Sequence, residues 1–347
     1  MADSKMQSVT VKVGSVKEWF SVMFRLHQYS RTYEKTGCCL QRRAQWVYRG
    51  QPDDSWAIAS SFERAVGKER WKTELDDSLQ SVELESLDRF RRTARVNGVA
   101  ELQDDVDWLA YMQHHGAPTR LVDFTELPLV ALYFATYGLD EKNITPHGFS
   151  VFAFRHDFIL GAEFCRDEYQ DKAERINDKS VDPVREKADA RMLANWLIDK
   201  SKNPNPANHS EAKVISIYPQ FGNRRLEAQA GLFLMQTHFG SAFVSDIKNV
   251  LECADGNGEV CCCSDFSRKI KCESYIESLK CLRFDFPERL RSRSRDLLDM
   301  VGVNHKTIFP DLKGLGMYVK EDCFVKADDV RVVERQVQYP VINIPKV

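Results

Sequence analysis

The stretch from Gln113 to Tyr137 constrains the fold more than any other part of the sequence. Pro118-Thr119-Arg120-Leu121-Val122-Asp123-Phe124-Thr125 reads as a buried strand with polar residues at its end. Pro128 then opens a helix, Leu129-Val130-Ala131-Leu132-Tyr133-Phe134-Ala135, that is apolar nearly all round. A helix without a polar face has to be covered on every side, so this one belongs at the centre of the molecule. Between Gln113 and Glu126 the chain nevertheless places two His, an Arg, an Asp, a Glu, a Gln and two Thr. Polar groups beside such a core must be paired or used, since burying one unpaired costs about 1–3 kcal/mol.

Periodicity supplies the other elements. Gln7–Val13 alternates as a strand, and Ser15 can cap a helix that runs through Trp19, Met23 and Leu26. Trp46–Gly50 is a short aromatic and β-branched strand closed by the turn Gln51-Pro52-Asp53-Asp54. The spacing of Leu75, Leu79, Val82, Leu87 and Phe90 predicts one helix over 69–95, stopped by Asn97-Gly98. Another is expected from about Asp105 to His114, ended by Gly116. Strands are expected at 149–154, 213–218, 230–235 and 282–286, with Asn223-Arg224-Arg225 as a turn between the second and third. A charged region, 166–202, should end in a helix around Leu193 and Trp196, and Pro287 should start a basic helix. Strands and helices mix without regular alternation, which predicts an α+β fold.

Composition narrows the partners. The 347 residues carry 51 acidic and 49 basic side chains, a net charge of −2, so binding to nucleic acid or an anionic surface would need a local patch. With 43% hydrophobic and 11% aromatic residues the chain is too apolar to be disordered. No apolar run spans a bilayer, and Met1-Ala2-Asp3-Ser4-Lys5 lacks the core of a secretion signal, so a cytoplasmic location is expected. The ten cysteines include the run Cys261-Cys262-Cys263 but no C-x-x-C pair. Reduced thiols and no metal are expected, with Asp255–Asp265 as a flexible insertion.

Three segments could carry chemistry. In Tyr48-Arg49-Gly50 an arginine closes an apolar strand beside a glycine that permits close backbone approach. This suits bidentate recognition of phosphate or carboxylate, or else a surface ion pair. In the central block, Arg120 and Asp123 form either part of a site or a structural salt bridge, and Asp123 with His115 could act as an acid/base pair. Farther on, Glu227 and Gln229 alternate along an extended segment and so could face one cleft, or could be ordinary strand-edge polarity. The arginines at 289, 291, 293 and 295 form either a nucleic-acid patch or a solvated face.

Taken together, Tyr48-Arg49-Gly50-Gln51, the block from Trp108 to Ala135, Arg224–Phe233 and the tail Ile308–Leu315 resemble the FRG domain, named for its aromatic-Arg-Gly signature and widespread in bacteria and their phages. The resemblance spans about 15–320, with 1–14 as an N-terminal strand, a Cys-rich insertion near 252–270 and 321–347 as a C-terminal extension. The order of motifs is also similar to that of ADP-ribosyltransferases. That second resemblance implies a mixed, mainly antiparallel sheet split into two small sheets around a cleft and surrounded by helices. It also implies NAD as substrate and ADP-ribosyltransferase or NAD glycohydrolase activity, as in a toxin or phage-defence effector acting on a protein or nucleic-acid acceptor. It would put Arg49 on the NAD phosphate or ribose, Thr125 as the supporting hydroxyl, and Glu227 or Gln229 at the catalytic position. Tyr48, Gly50, His115, Thr119, Arg120, Asp123 and Tyr133 are the remaining candidates for substrate contact. Asp123-Phe124-Thr125 stands where those enzymes carry Ser-Thr-Ser, and Gln229 replaces the second glutamate. The alternative is a non-catalytic module that binds a nucleotide, nucleic acid or protein in an Arg49/Arg120 cleft.

Overall fold

The computed structural model describes residues 7–31, 33–36, 39–42, 45–137, 147–156, 159, 183–199, 213–218, 220, 224–251, 259–321 and 323. The strands are β1 (Gln7–Lys12), β2 (Tyr33–Thr36), β3 (Cys39–Arg42), β4 (Trp46–Gln51), β5 (Leu121–Thr125), β6 (Phe149–Arg155), β7 (Val214–Ile217), β8 (Gly231–Gln236), β9 (Glu259–Cys262) and β10 (Leu279–Phe286). Apart from the β2–β3 hairpin they form one eight-stranded sheet, ordered β7-β8-β5-β4-β6-β10-β1-β9. Pairing is antiparallel from β7 to β10 and parallel where β1 joins β10 and β9. The α+β expectation holds. The strands make one sheet where two were expected, although β4 and β5 meet through the single pair Tyr48↔Thr125.

The helices are α1 (Val16–Arg31), α2 (Ser61–Val66), α3 (Lys68–Thr73), α4 (Asp76–Val96), α5 (Asp105–His114), α6 (Pro128–Tyr137), α7 (Pro183–Ile198), α8 (Arg224–Ala228), α9 (Phe243–Val250), α10 (Cys263–Lys269), α11 (Glu273–Ser278), α12 (Arg291–Met300), α13 (His305–Ile308) and α14 (Leu312–Lys320). Among the described residues no helix is long and apolar enough to cross a membrane. As its composition requires, α6 is central, with Val130, Ala131, Leu132, Tyr133 and Ala135 buried. It lies on β4 so closely that a Cβ on Gly50 would stand 2.0 Å from the Ala131 carbonyl oxygen.

Alternation along the strands builds separate apolar clusters. Tyr48, Val151, Ala153 and Phe284 join α1 and α6 in one, whereas Leu121, Ile215, Phe233 and Met235 join α4, α5 and α7 in another. Val47, Val122, Phe124, Phe154 and Leu234 pack with α9 in a third.

Several sequence expectations need correcting. The helix expected over 69–95 breaks at Glu74-Leu75 into α3 and α4. Within the Cys-rich segment, Cys261 and Cys262 lie on β9 and Cys263 opens α10. Burial pushes the Cys263 thiol up to about 12, away from the reactive thiolate range. Residues 252–258, 166–182 and 324–347 lie outside the described residues. Of the basic helix, Arg291 is buried, donating to the carbonyls of Ala135 and Pro52 and pairing with Glu288. Arg295 donates to the Thr136 carbonyl at 2.6 Å and lies over the Tyr137 ring. Two of the four arginines are therefore held in packing contacts.

Candidate functional site: a cationic, aromatic cleft where two strands part

Beyond Tyr48↔Thr125 the next antiparallel partners would be Arg49 and Phe124, and they do not pair. The strands diverge, and a cleft of about 1010 Å³ opens between them. That volume is at the upper end of small-molecule sites, large enough for a dinucleotide. Arg49 bridges the gap, its Nη1 donating to the Asp123 carbonyl at 2.6 Å and lying 4.0 Å from Asp123 Oδ2. Its Nε is buried with no acceptor, so the guanidinium is only partly satisfied. Burial lowers its proton affinity, Asp123 raises it, and Arg64 lowers it further. On the far strand, Thr125 donates its hydroxyl to the Gln229 carbonyl at 2.6 Å and accepts from the Leu127 amide at 3.0 Å. Replacing Thr125 by valine is expected to cost about 1–2 kcal/mol in urea unfolding, because an amide and a carbonyl lose their partner.

The remaining walls bring charge and aromatic surface. Helices α2 and α3, which follow β4 and are separated by Gly67 at φ +88°, deliver exposed Arg64 and Lys68. From the opposite wall come Arg225, held on Asp311, and Gln229, whose Nε2 donates to the Ile308 carbonyl at 3.3 Å. Trp56, Phe134 and Phe309 supply ring faces, and Trp56 is 46% exposed. Among the described residues Asp123 is the one carboxylate in the lining. The Gln113 side chain orients it, accepting from the Thr119 hydroxyl and donating to Asp123 Oδ1 at 2.9 Å. Burial and the nearby Arg225 push His114 below its ordinary value, which favours the neutral imidazole in this cationic setting.

Asp53, Asp54 and His147 converge closely enough to hold a cation, although Asp53 Oδ1 already accepts from the Ser55 amide and hydroxyl. The family model of the FRG domain matches residues 44–143. The chain carries an FRG domain. No curated protein and no solved structure matches the chain. The FRG match covers β4, β5, α6 and the helices between them, and so contributes Arg49, Arg64, Lys68, Gln113, Asp123 and Thr125 to the cleft. Arg225, Gln229 and Phe309 reach it from beyond that segment.

Of the residues expected at the site, Tyr48, Arg49, Gly50, Asp123, Thr125 and Gln229 line the cleft. The others lie elsewhere. Arg120 is 2% exposed and forms a buried ion pair with Glu83, its Nε 2.8 Å and 2.9 Å from the carboxylate oxygens. It therefore pairs with α4 and not with Asp123, and there is no Arg49/Arg120 cleft. Thr119 is buried against Gln113 and Ser61. Tyr133 is buried in the core and bonds to His305 Nδ1. His115 is exposed at the end of α5, packed on Tyr111, and it is His114 that reaches the cleft. Residues 224–228 form helix α8 instead of an extended segment, so alternation does not apply, and Glu227 is exposed outside the cleft. Of the cleft residues outside the strand ends, Trp56 alone carries a local sequence signal. Trp56 follows a Pro-Asp-Asp turn, a place where an aromatic has no packing reason to be.

Proposed function

We propose that the cleft binds a nucleotide, with NAD as the species that suits it best. The observation that carries this reading is the combination of Arg49, Arg64 and Lys68 with a single carboxylate, inside a cleft of about 1010 Å³ walled by Trp56, Phe134 and Phe309. Guanidinium groups recognise phosphate oxygens through paired, charge-assisted hydrogen bonds, and the ring faces offer stacking for bases. A nucleic-acid polymer is disfavoured, because Arg291 and Arg295 are tied to the fold. Calorimetry with NAD should show saturable binding that weakens at least tenfold in Arg49→Ala, the loss expected for a buried charged hydrogen-bond donor. Glu227→Ala should bind as the wild type does. Absence of saturable binding for NAD and for AMP would overturn the reading.

A second reading adds turnover, and the position of Asp123 favours it. Cleaving the nicotinamide–ribose bond sends the bonding pair to the ring nitrogen and leaves positive charge on the sugar. Water then adds to that carbon and releases a proton. A carboxylate beside the sugar lowers the barrier electrostatically. With Glu227 outside the cleft, this reading assigns the role to Asp123, which accepts from Gln113 and has Arg49 beside it. Nicotinamide release that falls by 10²-fold or more in Asp123→Asn and stays unchanged in Glu227→Ala is the expected result. Binding without any release would leave the site as a nucleotide-binding module.

A further inference from the structure

Behind Arg49 the cleft continues into an alcove of about 200 Å³, roughly one-fifth of the main volume. Arg49, Ala59, Arg64, Gln113 and Asp123 border both spaces, and Ser61 lines the alcove on the α2 side. It is too small for a base stacked on its sugar and large enough for one phosphate-sized group. Arg64 is close enough to Arg49 to disfavour its charge, and among the described residues Asp123 is the one carboxylate bordering the alcove. At Arg49 the Asp123 carboxylate offsets that repulsion, but two guanidinium groups still face one carboxylate. Arg49 Nε has no acceptor, and Arg64 is anchored through Nη1 on the Ala59 carbonyl at 2.6 Å. Asp123 is itself engaged by Gln113 at 2.9 Å and stands 4.0 Å from Arg49, so a net positive charge remains at the alcove. The Ser61 hydroxyl donates to the Thr119 carbonyl at 3.1 Å and accepts from the Thr119 amide at 2.9 Å, which holds the α2 wall in place.

We propose that this alcove receives a phosphate monoester carried by the nucleotide in the cleft, so that the site prefers ligands with a terminal phosphate over those with only a bridging one. The inference rests on the nucleotide reading above and specifies its ligand class. A monoester carries close to two negative charges at neutral pH, against one for each phosphate of a diester-like bridge, so it matches the two arginines better. A terminal group can also enter a small side space, whereas a bridging phosphate must leave room for chain on both sides.

NADP and NAD differ by one phosphate monoester and are the probes. Calorimetric titration of the wild-type chain should give NADP at least tenfold tighter than NAD, the advantage of one charge-assisted contact. In Arg64→Ala, a change at an exposed position of α2, that ratio should collapse to threefold or less. Equal or weaker binding of NADP alongside saturable NAD binding would overturn the alcove and leave the nucleotide cleft standing. So would a preference for NADP that survives Arg64→Ala. If neither compound binds, the nucleotide reading itself falls, and the alcove with it.

Discussion

Alanine at position 50 is expected to destabilise the protein by about 3 kcal/mol or more, a large part of the stability of an ordinary domain. The added Cβ would lie 2.0 Å from the Ala131 carbonyl oxygen and 2.5 Å from the Ala135 amide nitrogen. Both atoms belong to the backbone of α6, so no side-chain rotation relieves the clash. The helix would have to lift from β4, and it cannot do so alone, because Val130, Leu132 and Tyr133 are packed on its other sides. Gly50 thus serves helix packing, and through it the cleft, since α6 contributes Ala131 and Phe134 to the wall. The glycine of the aromatic-Arg-Gly signature is explained by a helix rather than by a ligand. Urea unfolding of Gly50→Ala with a midpoint close to that of the wild type would show that α6 has room to shift.

Much of this architecture is legible in the sequence where periodicity is strong, and the failures have physical causes. Strands β4, β5 and β6 and helices α5 and α6 are continuous apolar or regularly spaced runs bounded by Pro or Gly, and they stand where the pattern puts them. The break between α3 and α4 is invisible because Trp71, Leu75 and Leu79 keep a four-residue spacing across it. Trp71 and Leu79 are buried, yet Leu75 is 78% exposed at the N-cap of α4. Helix α8 has five residues and two apolar side chains, Leu226 and Ala228, too few to show a period, so Glu227 and Gln229 mimic an alternating strand. At the site, Arg49, Asp123 and Thr125 are legible as polar ends of apolar strands. Arg64, Lys68 and Trp56 come from short helices and a turn whose sequence carries no pattern, and only the folded chain brings them to the cleft.

The reassignment of Arg120 leads to the other large effect. Glu83→Gln is expected to cost about 3–5 kcal/mol, because it removes the partner of a buried charge. Glu83 is fully buried and Arg120 nearly so, and the pair is completed by a weak contact to the Leu197 carbonyl at 3.5 Å and by the Phe239 ring 4.2 Å from the guanidinium carbon. Nothing in that surrounding can take over the charge. The pair itself contributes much less than its rupture costs, since desolvating two ions offsets most of their attraction. Replacing both at once, Glu83→Leu with Arg120→Met, should therefore recover most of the loss. The same double variant decides what Arg120 is for. If its role is to join α4 to β5, the double variant should unfold at nearly the wild-type urea concentration and bind NAD with the wild-type affinity. Arg49→Ala should do the reverse, keeping most of the stability and losing the ligand. A double variant that is stable and no longer binds would place Arg120 back in the site, and the cleft would have to be redrawn around it.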